Sequence, residues 1–142
     1  YYLPLQRQWS FEMREIVCIG DAETVEIFTG DCVDRIETLL KVLDMEGSWQ
    51  IATDPFFDPQ ADPKALAQIL EPTKKELCTP DGLAIGSVNH HRSFFGESYD
   101  IKIGDDAAHS ACVAFGIERW LYAMAQQHGT DASAWPVPEN RG

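Results

Sequence analysis

From Phe11 to Ile19 every second residue, Phe11, Met13, Glu15, Val17 and Ile19, falls on one side of an extended chain. That alternation predicts a strand whose one misfit is the charged Glu15. Gly20 ends it, and Asp21 stands where a helix would be capped. From Ala22 to Asp44 the apolar positions Val25, Phe28, Cys32, Ile36, Leu39, Leu40 and Leu43 recur at helical spacing. They predict a long amphipathic helix, weakened at Gly30 by about 1 kcal/mol. A short strand follows over 49–52.

Prolines at 55, 59, 63 and 72 make the next stretch irregular, with at most a short helix over 64–70. Residues 75–78 and 83–89 read as two strands of a hairpin around Thr79-Pro80-Asp81-Gly82. Strands over 98–103 and 110–114 come next, joined at Gly104-Asp105-Asp106. A helix over 116–128 buries Ile117, Trp120, Leu121 and Met124, and Gly129 stops it. Hairpin-linked strands with two long helices give an α+β domain, an antiparallel sheet flanked by helices. Residues 1–130 form its body and 131–142 an extended tail.

Composition narrows the classes. Among 142 residues, 11 Lys and Arg face 23 Asp and Glu, a net charge of −12. So acidic a chain is poorly suited to broad contact with phosphate backbones, which needs basic residues to displace counterions. A hydrophobic content of 44% is too high for a disordered acidic tail. No apolar run is long enough for a membrane span. Cys18, Cys32, Cys78 and Cys112 are scattered without a CxxC pair, and no basic-plus-apolar leader opens the sequence. That usage predicts a reduced, cytoplasmic protein.

Two segments look out of place in a plain core. Arg7, Phe11 and Glu15 recur at spacing four, with the arginine in the loop that feeds the first strand. An arginine there can reach a polyphosphate, and an aromatic on the strand can stack a flat base. Ala114-Phe115-Gly116-Ile117-Glu118-Arg119-Trp120 turns from strand to helix and sets Arg119 in the first helical turn, where phosphate recognition is natural. The plain alternative makes these residues solvated charges and core.

In this order the two segments resemble motifs 2 and 3 of class II aminoacyl-tRNA synthetases. Four stretches narrow the resemblance: the run 11–20, Asp54-Pro55-Phe56-Phe57, the run 87–92 with Phe95-Gly96, and the run 109–119. From about Arg7 to Gln127 the sequence is similar to the amino acid:carrier protein ligases, homologues of the catalytic domain of the atypical zinc-dependent seryl-tRNA synthetases. The resemblance implies that Phe11 stacks on the adenine of ATP, Arg7 holds its terminal phosphate, and Arg119 orients the phosphates as the catalytic cation. It further implies that Glu15 and Cys112 are two of three zinc ligands. Ala114 would floor a small side-chain pocket, Asn89 would contact the amino acid, and Glu97 would reach the Mg²⁺ of ATP.

The third ligand of the resembled family, a cysteine upstream of motif 2, has no counterpart here, nor have the leading strand of motif 2 and motif 1. The chain thus matches the C-terminal part of such a catalytic domain. Strand alternation points Cys18 away from Glu15, which leaves Cys32 and Cys78 as conceivable substitutes. Asp58-Pro59-Gln60-Ala61-Asp62-Pro63 replaces a basic family loop, and Val88 replaces a cysteine. His90 and His91 alternate, so one at most faces a cleft, and His109 is read as a hydrogen-bonding partner near Glu97 or Asp100.

The expected function is ATP-dependent activation of glycine or alanine as the aminoacyl-adenylate, then transfer to the phosphopantetheine thiol of a carrier protein. The complete protein would be a homodimer, with tRNA disfavoured by the acidity and Arg35, Lys41, Lys74 and Lys75 as local basic contacts for the carrier. The other reading is a catalytically silent module that binds a nucleotide or a partner.

Overall fold

The computed structural model describes residues 1–52 and 73–138. The expected irregular stretch after position 52, with its Asp54-Pro55-Phe56-Phe57 motif, and the last residues of the tail lie outside them. In chain order the elements are β1 (Met13–Gly20), α1 (Ala22–Val42), β2 (Ser48–Ile51), β3 (Lys74–Cys78), β4 (Ala84–Arg92), α2 (Phe94–Tyr99), β5 (Lys102–Ile103), β6 (Asp106–Ala107), β7 (His109–Gly116) and α3 (Ile117–His128). A 3-10 turn, Ala132–Ala134, follows. Five strands form one antiparallel sheet in the order β1-β7-β4-β3-β2, and β5 pairs with β6 separately.

The α1 helix forms where the periodicity places it, and its cap is as expected: the Asp21 carboxylate accepts the Thr24 N–H at 2.7 Å. Its inner stripe, Ile36 and Leu40, with Leu43 at its C-cap, packs on Leu77, Val88 and Val113 of the sheet and on Ala123 and Met124 of α3. Val88 and Val113 face each other across β4 and β7, so both helices bury one side of the sheet. Gly129, at φ 82°, ends α3.

In α3, Ile117 (37%) and Leu121 (44%) are exposed, not buried as the spacing predicts, while Met124 is buried, and three further sequence expectations change. The first strand starts at Met13, not Phe11, because its partner β7 ends at Gly116, directly opposite Met13. Residues 98–103 are not one strand. Phe94–Tyr99 is helical, with the Glu97 N–H on Ser93 O at 2.8 Å, and Asp100 turns left-handed (φ 52°) before Lys102 and Ile103 pair. Gly96 permits that helix: a Cβ there would lie 2.2 Å from Ala108 O. The tail is not simply extended either, since Trp135 packs on the core and its Nε1–H donates to Gly129 O at 2.8 Å.

The opposite face of the central strands carries no α1 or α3. At the sheet's margin, β1 leaves Val17 58% and Ile19 53% exposed.

Candidate active site

Strand alternation puts a consistent set of side chains on the open face. Pairing Glu15 with Ala114 and Val17 with Cys112, and Ala114 with Ser87 and Cys112 with Asn89, makes these residues one surface. Two neighbouring clefts indent it. The first, about 580 Å³, is bounded by Arg7, Phe11, Met13, Ser87, Ala114, Glu118 and Arg119. The second, about 470 Å³, is bounded by Glu15, Val17, Ile19, His91, Phe95 and Cys112.

In the first cleft the structure brings Arg7, Phe11, Ala114 and Arg119 together. Phe11 is 59% exposed at its rim, and Arg7 lies over the Tyr1 ring at 4.9 Å. Arg119 is less free than its sequence position suggests: its Nε–H donates to Gln6 O at 2.9 Å and its Nη1–H to Ala84 O at 2.8 Å. Glu118 is half-buried and has a backbone partner. Both of its oxygens accept the Glu12 N–H, each at 3.0 Å. Lys74, read from the sequence as a docking contact, also lines this cleft and pairs with Glu76 at 3.2 Å.

Beside the second cleft, the Asn89 Nδ2–H donates to Cys112 Sγ at 3.3 Å and to Ser87 Oγ at 3.1 Å. His91 Nε2 lies 3.7 Å from Cys112 Sγ, while its Nδ1 meets Ser110 Oγ at 3.1 Å. Burial pushes the Cys112 thiol above its ordinary value; the Asn89 bond opposes this and the Glu15 charge adds to it. A cation at this spot would reverse that balance and favour the thiolate.

The alternation of His90 and His91 holds. His91 faces the cleft, and His90 faces α1, 3.7 Å from a Glu26 oxygen and edge-on to His109. His109 does not turn to Glu97 or Asp100: its Nδ1 is buried without a hydrogen-bond partner among the described residues. Glu97 accepts from Ser93 Oγ at 2.7 Å and lines neither cleft. Cys18 pairs with Ala111 on the helical side, and Cys32 packs on the core there. Burial raises the thiols of both Cys32 and Cys78.

Glu15 and Cys112 are an oxygen and a sulfur donor that suit zinc, and the fold sets them on one surface. Among the described residues no three His, Cys, Asp or Glu side chains are assembled to hold a metal ion, so the fit to a zinc site is partial. Nor is any described helix long and apolar enough to cross a membrane.

The architecture, an antiparallel sheet backed by helices, is the fold of a region of a class II aminoacyl-tRNA synthetase. A solved structure of M. kandleri SerRS in complex with A. aeolicus tRNASec superposes with a TM-score of 0.77 at 19% identity, over 94% of this chain and 28% of that one. Homologues in sequence sharpen this. The chain is 38% identical to amino acid--[acyl-carrier-protein] ligase 1 of Bradyrhizobium diazoefficiens over 139 residues, 94% of this chain and 43% of that protein. It is 29% identical to the type-2 serine--tRNA ligase of Methanococcus maripaludis strain S2, over 93% of this chain and 28% of the relative. The chain therefore spans less than half the length of these curated relatives. No family model matches it.

Proposed function

We propose that this chain carries the ATP- and amino-acid-binding half of an amino acid--[acyl-carrier-protein] ligase. The observation that supports this best is the gathering of Arg7, Phe11, Ala114 and Arg119 around one cleft beside Glu15, Asn89 and Cys112. The 38% identity to a ligase of that name supports it independently.

In this reading the adenine of ATP stacks on the exposed Phe11 ring, and Arg7 meets the terminal phosphate. Mg²⁺ accompanies the phosphates, without Glu97, which lies away from the cleft. Arg119 keeps its two carbonyl contacts and turns the rest of its guanidinium to the phosphates, where fixed positive charge stabilises the transition state. A carboxylate oxygen of the amino acid attacks the α-phosphorus, and pyrophosphate departs. The thiol of a phosphopantetheine arm then attacks the adenylate carbonyl, forming a thioester and releasing AMP. Glu15 and Cys112 would hold Zn²⁺, which when bound fixes a substrate amine. Asn89 orients the Cys112 sulfur, and Ala114, lining the first cleft, leaves room for a small side chain such as that of glycine or alanine.

The charge of −12 supports a carrier protein over tRNA as acceptor. The complete enzyme is read as a cytoplasmic homodimer whose catalytic domain includes residues 1–130. Amino-acid-dependent exchange of pyrophosphate into ATP by the complete polypeptide, with glycine, alanine and serine, tests the activity. Exchange with glycine or alanine supports it, and none with any amino acid sinks it. The carbonyl-bound state of Arg119 favours a second reading, a silent nucleotide-binding module, which predicts ATP binding without exchange.

A further inference from the structure

The segment from Gln6 to Glu12 carries both Arg7 and Phe11, yet belongs to no element of the sheet. It is folded partly on itself, with paired Leu3–Arg7 backbone bonds of 2.8 Å. What joins it to the body of the fold is the first turn of α3. At one end the Arg119 Nε–H donates to Gln6 O at 2.9 Å. At the other, the Ile117 N–H donates to Glu12 O at 3.0 Å, and the Glu12 N–H returns to both oxygens of Glu118.

We infer that Glu118 and Arg119 are a clasp that fixes both ends of this loop, with Glu118 the positioning residue that sets Phe11 for the nucleotide. Two physical arguments converge on it. A carboxylate on the wall of a cleft that takes polyphosphate would repel its ligand; here both oxygens are turned to a backbone N–H, which also suits the positive end of the helix dipole. An arginine in a first turn opposes that dipole, so its presence needs compensation, and two backbone carbonyls supply it. The inference deepens the ligase reading and rests on it for the role of the nucleotide, but the clasp itself is open to direct measurement.

The experiment compares wild type, Glu118→Gln and Glu118→Ala in the complete polypeptide. It reads amide hydrogen exchange at Glu12 beside the KM for ATP, the KM for the amino acid and kcat. Because a bond to a charged acceptor is lost, Glu118→Ala should speed Glu12 exchange about tenfold and raise the ATP KM by a similar factor. The amino acid KM and kcat should change less than about twofold. Glu118→Gln, which keeps one acceptor oxygen, should recover most of both effects. An alanine variant with unchanged Glu12 protection, or with kcat falling in place of the ATP KM, overturns the proposal. If wild type shows no pyrophosphate exchange, the ligase reading fails. Glu12 exchange and MgATP binding to the three proteins then decide the clasp alone: a loss of both in Glu118→Ala supports it, and no change in either overturns it.

Discussion

The Asn89 side-chain amide donates to the sulfur of Cys112 across β4 and β7 at 3.3 Å. An amide donor aimed at a buried sulfur favours the thiolate, the form that binds metal. If Cys112 and Glu15 hold zinc, the complete protein should lose its bound zinc on Cys112→Ala or Glu15→Ala, read by elemental analysis after dialysis. Asn89→Ala should weaken retention about tenfold, the usual scale for a group that orients a ligand. Unchanged metal content in Cys112→Ala would make Cys112 a core residue only.

Arg119 joins the loop before β1 to the start of β4 through two backbone carbonyls. Arg119→Ala should cost about 1–3 kcal/mol in urea unfolding, since both carbonyls lose a charged donor. It should also abolish pyrophosphate exchange. Arg119→Lys, which has no planar fork to span both carbonyls, should restore charge but not exchange. Full exchange by the lysine variant would reduce Arg119 to a point charge.

Gly96 is held close to the Ala108 backbone. A Cβ at 2.2 Å from a carbonyl oxygen cannot be accommodated by rotating a side chain, so α2 must shift as a whole. Gly96→Ala should destabilise the fold by about 3 kcal/mol or more in denaturant titration. Wild-type stability in this variant would show that α2 is held loosely.

His90 gives a pH dependence of known sign. Burial pushes its pKa below the ordinary histidine value, with Glu26 only partly opposing it. Between that ordinary value, about 6.5, and the lowered folded value, the unfolded chain binds more protons than the folded one. This contribution to stability is therefore complete above about pH 6.5 and is lost as pH falls through the folded pKa. His90→Gln should flatten the slope of unfolding free energy against pH in that window. A slope equal to wild type would mean that His90 titrates freely.

What the sequence made legible was local. The Asp21 cap, the α1 stripe and the opposite faces of His90 and His91 follow from spacings of two to four residues, and the structure has them so. The open-face set of Glu15, Asn89, Cys112 and Ala114 was readable in part, because alternation fixes faces once strands are placed. Two things were hidden. The α2 helix has an alternating apolar tail, Tyr99, Ile101 and Ile103, that imitates a strand, while the contact that selects a helix, Gly96 on Ala108, crosses to another segment. Glu118 was hidden because its partner, Glu12, is 106 residues away. No spacing within one segment reports such a pair, although an arginine beside it in a first helical turn is a hint that something must satisfy both.

That separation bears on how the protein is made. Loop closure over so long a stretch comes late, after the local hairpin and helices have formed. The loop that carries Arg7 and Phe11, though it precedes β1, therefore takes its shape only once β7 has docked on β1 and α3 has begun. A ribosome that has released β1 has not yet given that loop its shape, and a chain cut just before α3 would keep every residue of the loop and lose its form.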